Sequence, residues 1–298
     1  MTPPSARASW AFEEGAEIAP GRTILRALGG GRRFEVHLVW DDRWFAVMVA
    51  KLLRPDQAGD ERALRELRAE AEILGRLAHP VLLRGFDAVL DGPHPHLLVE
   101  HLEGPTLRRL IRKGGPLPMA QLLPLALHVA AVLHYLAVEE VVHLDVKPDN
   151  IVMGVPPRLI DLSVARSVAD AARIRGAVGT DAYMAPEQCD PARAPGAIGP
   201  PADVFGLGAT LHHAAAGSVP FPRAPEARES DDAELRFPQL ARAPEPLPAA
   251  VPEGLRALIA ATLDPDPARR PTAAELARGL EPLVAAQPTR APAGRGRF

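Results

Sequence analysis

The spacing of apolar and polar positions changes partway along the chain. Residues 22–28, 34–40 and 45–51 are short runs rich in Val, Leu, Ile, Phe and Trp, separated by Gly29-Gly30-Gly31 and by the turn-like Asp41-Asp42-Arg43. Such runs between turn formers predict strands. A helix is predicted at about 60–78, then strands at about 83–90 and 95–100, broken by Asp91-Gly92-Pro93. After Gly104 the spacing becomes helical, with helices predicted at 106–113, 119–138, 203–217, 253–263 and 272–285. Strands first and helices afterwards predict an α+β fold of two segregated lobes, with the seam near residues 100–104. The proline-rich stretches 188–201 and 222–252 are expected to be surface loops, the second with one short helix. Residues 1–20 and 287–298 are aperiodic and are expected to be disordered tails.

Two charged residues break the apolar pattern. Alternation in the strand 45–51 puts Phe45, Val47, Val49 and Lys51 on one face, so a lysine ends an apolar face. On the following helix Glu61, Arg62, Arg65, Arg68, Glu72 and Arg76 gather on one arc, and Leu67, Ala71, Ile73, Leu74 and Leu77 on the opposite side. Glu70 falls in the middle of the apolar side. A carboxylate aimed at a core needs a cationic mate, and Lys51 is the candidate, its ammonium still able to reach an anionic ligand.

Composition narrows the class. The chain has 298 residues, 47% hydrophobic and 24% charged, with a formal net charge of −3. Disorder throughout is excluded, and the near balance of charge argues against a nucleic-acid or polybasic membrane binder. The single cysteine, Cys189, excludes an internal disulfide and an all-cysteine metal site. No apolar run is expected to reach the ~18 residues of a spanning helix, and MTPPSARASW has no apolar signal region. A cytoplasmic protein without a membrane anchor is expected; its oligomeric state is not legible.

Two segments carry candidate chemistry. Leu28-Gly29-Gly30-Gly31, followed by Phe34 and Val36, is either a phosphate-capping loop or a plain glycine-rich hairpin turn. The segment HLDVKPDN at 143–150 precedes a short hairpin and RLIDLS at 158–163. Asp145, Asn150 and Asp161 offer one base and two oxygen ligands of the kind that Mg²⁺ takes.

Taken in this order, the motifs resemble those of a bacterial, actinobacterial-like, eukaryotic-type serine/threonine protein kinase over about residues 21–286. The resemblance implies a small antiparallel N-lobe with one main helix (about 21–100), a hinge (about 100–104) and a mainly helical C-lobe (about 105–286). It implies ATP and Mg²⁺, with Mn²⁺ as a substitute, and protein substrates. By resemblance, Leu28 and Gly29–Val36 form the loop over the nucleotide, and Lys51, oriented by Glu70, holds the α and β phosphates. Val49 roofs the adenine, Val99 is gatekeeper, and Glu100 to Leu102 meet the base. Asp145 is the catalytic base, Lys147 steadies the γ-phosphoryl group, and Asn150 and Asp161 hold the metal. GTDAYMAPEQ at 179–188 resembles the end of an activation segment, Asp203 starts the helix beneath the catalytic loop, and Glu187 is expected to pair with Arg270. Lys147 and Thr180 favour Ser/Thr over Tyr substrates.

The chain departs from the family pattern at four places. Phe34 replaces the third glycine, Val49 a small alanine, Leu144 the arginine before the catalytic base, and Leu162-Ser163 the usual Phe-Gly. None of these removes a group that does chemistry, so phosphotransfer is expected, independent of activation-loop phosphorylation because the arginine that receives the phosphate is missing. A nucleotide-binding pseudokinase scaffold is the alternative. A small-molecule phosphotransferase is the third reading, against which the Ala185-Pro186-Glu187 segment stands.

Overall fold

The computed structural model describes residues 8–194 and 196–287. The chain divides into two compact units. The first comprises residues up to Gly104 together with Ile160–Ala165, the second Pro105–Leu159 and the chain from Arg166 onward. The class is α+β, a curled antiparallel sheet in the first unit and helices in the second.

Six strands make the sheet of the first unit: β1 Glu17–Ala19, β2 Arg22–Gly30, β3 Phe34–Asp41, β4 Ala46–Leu53, β5 Gly85–Val89 and β6 His96–Glu100. Their order is β1-β2-β3-β4-β6-β5, every pairing antiparallel. Helix α1, Glu61–Arg76, starts at Asp60, whose side chain accepts from the Ala63 N–H. It buries Ala63, Leu67, Glu70 and Leu74, as its apolar stripe predicts.

The sheet has two apolar faces. Ile24, Val39, Met48, Ala50, Leu52 and Leu98 form one core with Ile18. Lys51 has the opposite parity, on the face it shares with its partners Val36 and Leu97. Phe45 is not part of that face: it precedes β4 with a φ of 50° and is 80% exposed.

The Ile24–Leu98 core explains why the expected N-terminal tail is corrected over residues 8–19, residues 1–7 lying outside the described residues. Over residues 8–19 the chain covers this core with Phe12, Ala16 and Ile18, and β1 extends the sheet. The Trp10 indole N–H donates to the Leu53 carbonyl at 2.8 Å, its backbone N–H to Glu35 Oε1 at 3.1 Å, and Arg54 donates to the Ala8 carbonyl at 2.8 Å. An apolar sheet face left to water would be costly, and these aromatics remove it. The other expected tail, 287–298, lies outside the described residues apart from Gln287.

Buried charge ties the far edge of the sheet. Arg22 bonds Asp41 at 2.7 Å, Asp87, and His96 Nε2 at 2.9 Å. A guanidinium only donates, so His96 Nε2 accepts and the ring is neutral, with Nδ1 donating to the His94 carbonyl at 2.7 Å. Burial, aided by the Arg22 charge, holds the His96 pKa below its ordinary value.

In the second unit α2 Leu107–Gly114 and α3 Met119–Val138 are followed by β7 Val141–Val142, β8 Ile151–Val152, β9 Arg158–Leu159 and β10 Arg166–Ser167. Then come α4 Val168–Ala171, α5 Pro186–Cys189, α6 Pro200–Ala216, α7 Ala233–Arg236, α8 Glu253–Thr262 and α9 Ala273–Ala285. Helix α6 is buried along every residue from Ala202 to Ala215 and packs against α3 and α8. Gly208 permits the α8 contact, since a Cβ there would lie 1.9 Å from Thr262 Oγ1. Strands β8 and β9 pair with each other, and β10 pairs with β7.

Three expectations change in this unit. Helix α3 corrects the expectation that no apolar run reaches spanning length. Among the described residues it is the one helix long and apolar enough to cross a membrane, with a mean hydropathy of 1.7. Half of that window is buried inside the protein, where α3 packs against α6 and α9 as a core helix. The stretch 188–201 begins inside α5, ends inside α6 and buries Ile198. The stretch 222–252 carries α7 between two 3₁₀ turns, Pro225–Glu229 and Pro238–Leu240. Phe237 is buried there against Met184 and Cys189, an anchor that a free surface loop would lack.

Trp10→Ala should lower the stability of the first unit by about 2 kcal/mol, through lost ring burial and the orphaned Leu53 carbonyl. Urea denaturation of wild type and variant measures this; equal midpoints would mean that the strap carries no load.

Candidate active site

In the first unit the Lys51 ammonium donates to Glu70 Oε1 at 2.8 Å, Glu70 Oε2 at 3.0 Å and Asp161 Oδ1 at 2.8 Å. The expected pair is therefore formed, with Asp161 as a third member. Burial alone would depress the Lys51 pKa, but the charges of Glu70 and Asp161 outweigh it and hold the pKa above the usual lysine value. Asp161 lies two residues beyond β9 with a φ of 68°, a strained left-handed conformation.

The glycine segment differs from expectation. Gly29 and Gly30 belong to β2, with φ of 131° and 154°, and Arg32-Arg33 form the tip of the hairpin. A Cβ on Gly30 would lie 2.4 Å from the Phe34 carbonyl oxygen, so only glycine fits that approach. The Gly31 N–H bonds the Phe34 carbonyl at 3.0 Å and closes the turn. The Phe34 ring centroid lies 4.5 Å from Lys51 Nζ.

Val36 and Val49 are half-buried on the Lys51 face, and Val49 pairs with Val99, which is buried. Leu28 is exposed. The Glu100 carboxylate accepts from the Arg84 N–H at 2.8 Å, which fixes the end of β6, and Leu102 follows half-buried.

In the second unit the segment 143–150 runs between β7 and β8, and a buried carboxylate shapes it. Asp203 Oδ2 accepts from the His143 N–H at 2.7 Å and Oδ1 from the Leu144 N–H at 2.8 Å. Burial pushes the Asp203 pKa up to about 6, against the lowering pull of His143 and these backbone bonds. Leu144 is held at a φ of 66° with its side chain buried. Its carbonyl accepts from Gln188 Nε2 at 2.8 Å, and Gln188 also donates to the Val178 carbonyl at 2.9 Å.

Lys147 Nζ donates to Asp145 Oδ2 at 2.6 Å and to Thr180 Oγ1 at 2.6 Å. Asn150 Nδ2 donates to the Asp145 carbonyl at 2.9 Å and to Oδ2 at 3.1 Å, which turns its amide oxygen the other way. Asp145 Oδ1 is buried and, among the described residues, has no hydrogen-bond partner. An unsatisfied carboxylate oxygen is a costly feature that a structural role would not select.

The Asn150 amide oxygen in the second unit and the Asp161 carboxylate in the first are each hard donors of the kind Mg²⁺ takes. Among the described residues no cluster of three or more His, Cys, Asp or Glu side chains forms a metal site.

Glu187 and Arg270 are paired, bidentate at 2.6 and 2.9 Å, with both side chains fully buried. Arg270 also donates to the carbonyls of Pro201 at 3.0 Å, Asp264 at 2.8 Å and Pro265 at 3.3 Å, and stacks on Phe205 at 5.0 Å.

Sequence reasoning missed one cluster beside Thr180. The Tyr183 hydroxyl meets His213 Nδ1 at 2.7 Å, and Arg108 NH1 lies 3.2 Å from the same hydroxyl. Burial first, and the Arg108 charge second, lower the His213 pKa to about 4, so the ring is neutral at pH 7. Its only signal was the histidine pair His212-His213 on the otherwise largely apolar α6.

A loop carboxylate held beside a lysine and a threonine, a strand lysine paired with a helix glutamate, and an antiparallel sheet preceding a helical unit together are the features of a protein kinase domain. The chain matches that family, the protein kinase domain, over residues 22–279 and belongs to it. It is 31% identical over 203 residues to the serine/threonine-protein kinase PknB of Mycobacterium leprae, covering 65% of this chain and 32% of the relative. Against the probable serine/threonine-protein kinase PkwA of Thermomonospora curvata it is 34% identical over 262 residues, 87% of this chain and 33% of the relative. Against PkaA of Streptomyces coelicolor, a serine/threonine-protein kinase, the figures are 32% over 238 residues, 77% and 42%. The chain thus spans between about a third and two fifths of the length of these curated relatives.

Glu187→Ala should destabilise the second unit by roughly 3–5 kcal/mol, because Arg270 is left as an unpaired buried charge. Calorimetric unfolding checks it, and a loss below about 1 kcal/mol would mean that solvent reaches the guanidinium.

Proposed function

We propose that the chain transfers the γ-phosphoryl group of ATP to Ser and Thr hydroxyls of protein substrates. The observation that carries this reading is Asp145, whose Oδ2 is engaged by Lys147 and Asn150 while Oδ1 has no partner among the described residues. A substrate hydroxyl would donate to Oδ1. As its oxygen bonds to the γ phosphorus and the bond to the β–γ bridging oxygen breaks, the proton passes to Asp145 and ADP leaves. Lys147 neutralises charge on the transferring group, and its bond to Thr180 aligns the segment on which a substrate hydroxyl would rest.

In this reading Lys51, aligned by Glu70, binds the α and β phosphates, and the hairpin that carries Gly29, Gly30 and Gly31 covers them. Leu28, Val36 and Val49 cover the adenine, Val99 limits its depth, and the backbone of Glu100 and Leu102 meets its edge. Asn150 and Asp161 would hold Mg²⁺, or Mn²⁺ in its place; when bound, the ion offsets the triphosphate charge. Asp203, Glu187 and Arg270 position the catalytic loop and the segment after Thr180. A domain that consumes ATP works where ATP is supplied, which favours the cytoplasm.

We further infer that activity needs no activation-loop phosphate. The segment is tied down by the β10–β7 pairing, the Val168 N–H bond to Glu140 at 2.9 Å and the Gln188 bond to Leu144. These contacts involve no cationic receiver.

Asp145→Asn should keep ATP affinity and lower turnover by about 10²–10⁴-fold, the share general-base assistance supplies. A radiolabel transfer assay on a generic Ser/Thr substrate decides; unchanged turnover would remove Asp145 from the chemistry.

Phosphatase-treated enzyme, verified by mass spectrometry to be unmodified over residues 161–187, should retain full turnover. A large drop that returns on autophosphorylation of Ser163, Ser167 or Thr180 would refute phosphate-independent ordering.

A further inference from the structure

An ammonium group has three N–H bonds, and those of Lys51 are met by three carboxylate oxygens, two of Glu70 and one of Asp161. The ring of Phe34 then covers a further side of Nζ, its centroid 4.5 Å away. Strand register creates this contact. Phe34 stands opposite Leu53 and Val36 opposite Lys51, so Phe34 is the diagonal neighbour of Lys51 on one face of the sheet. A glycine there would leave that side of the ammonium open.

The hairpin that carries Phe34 is fastened from two directions. Arg33 at its tip pairs with Glu66, one helical turn before Glu70 on α1. Just after β4, Arg54 Nε donates to the Gly31 carbonyl at 2.9 Å and the Arg54 N–H to the Arg33 carbonyl at 2.9 Å. Arg54 is buried, held in turn by Glu35 Oε1 at 3.1 Å and the Ala8 carbonyl at 2.8 Å. The ring is therefore seated by a braced hairpin.

We propose that Phe34 gates the access of nucleotide phosphates to Lys51, its ring occupying ammonium surface that phosphate oxygens must take over. The proposal rests on the reading of Lys51 as the phosphate-binding lysine. Its consequence is selective: the cost of moving the ring falls on ATP and ADP, which reach for Lys51, and not on adenosine, which has no phosphate. A cation–π contact at a desolvated site is strong enough for its release to matter about tenfold in affinity.

Titration calorimetry of ATP, ADP and adenosine with wild type, Phe34→Gly and Phe34→Leu tests this. Phe34→Gly should bind ATP and ADP about tenfold more tightly and adenosine unchanged; Phe34→Leu, which keeps bulk but lacks the π face, should gain a few-fold for the phosphorylated ligands. Equal or weaker ATP binding by a folded Phe34→Gly, or an equal gain for adenosine, overturns the gate. Should Phe34→Gly fail to fold, Phe34→Leu decides alone, and no gain for ATP counts against. Lys51→Met separates the two ideas: if it leaves ATP affinity unchanged, the phosphate-binding reading of Lys51 fails, whatever Phe34 does.

Discussion

A carboxylate at the start of a buried helix governs the chemistry-bearing loop of the second unit. Asp203 is held by two backbone N–H groups, those of His143 and Leu144, in a buried setting that raises its pKa to about 6. Those two bonds fix the peptide units immediately before Asp145. Because Leu144 must adopt a left-handed conformation to point both its N–H at Asp203 and its carbonyl at Gln188, local strain is fixed by contacts on either side. The helix itself cannot yield, since it is buried along nearly its whole length.

The first unit uses a different principle. Its lysine is positioned by opposite charges, and the strand register brings an aromatic ring to the same ammonium. A buried ion pair is by itself weak evidence for stability, so the presence of the Lys51–Glu70 pair points to positioning. The N-terminal strap works the other way, removing apolar surface from water, meeting Glu35 and Arg54 with backbone groups and the Leu53 carbonyl with the Trp10 indole N–H.

Legibility followed the physical origin of each feature. The helix 119–138 was read with its observed bounds, and Glu70 with its mate, because helical periodicity and the penalty on an unpaired core charge are both local to the sequence. The Glu187–Arg270 pair was legible only through resemblance, since nothing in the two segments alone links positions 83 residues apart. The strap escaped because Trp10 and Phe12 are isolated aromatics in a Pro/Ala/Glu-rich stretch, and what orders them is a sheet face assembled from β2, β3, β4 and β6. The contact of Phe34 with Lys51 escaped because it needs the β3–β4 register, which turn geometry sets. The role of His213 was hidden on an apolar helix by its neutrality.

The Glu187–Arg270 pair also bears on synthesis. Glu187 leaves the ribosome 83 residues ahead of its partner, a delay of roughly 4–17 s at ordinary elongation rates. During that interval the carboxylate has no guanidinium to meet and must stay hydrated, so the segment carrying Thr180 cannot settle against α6. The helical unit therefore closes only after nearly all of it has been made, and a nascent chain halted before Arg270 presents chaperones and proteases with the segment still open.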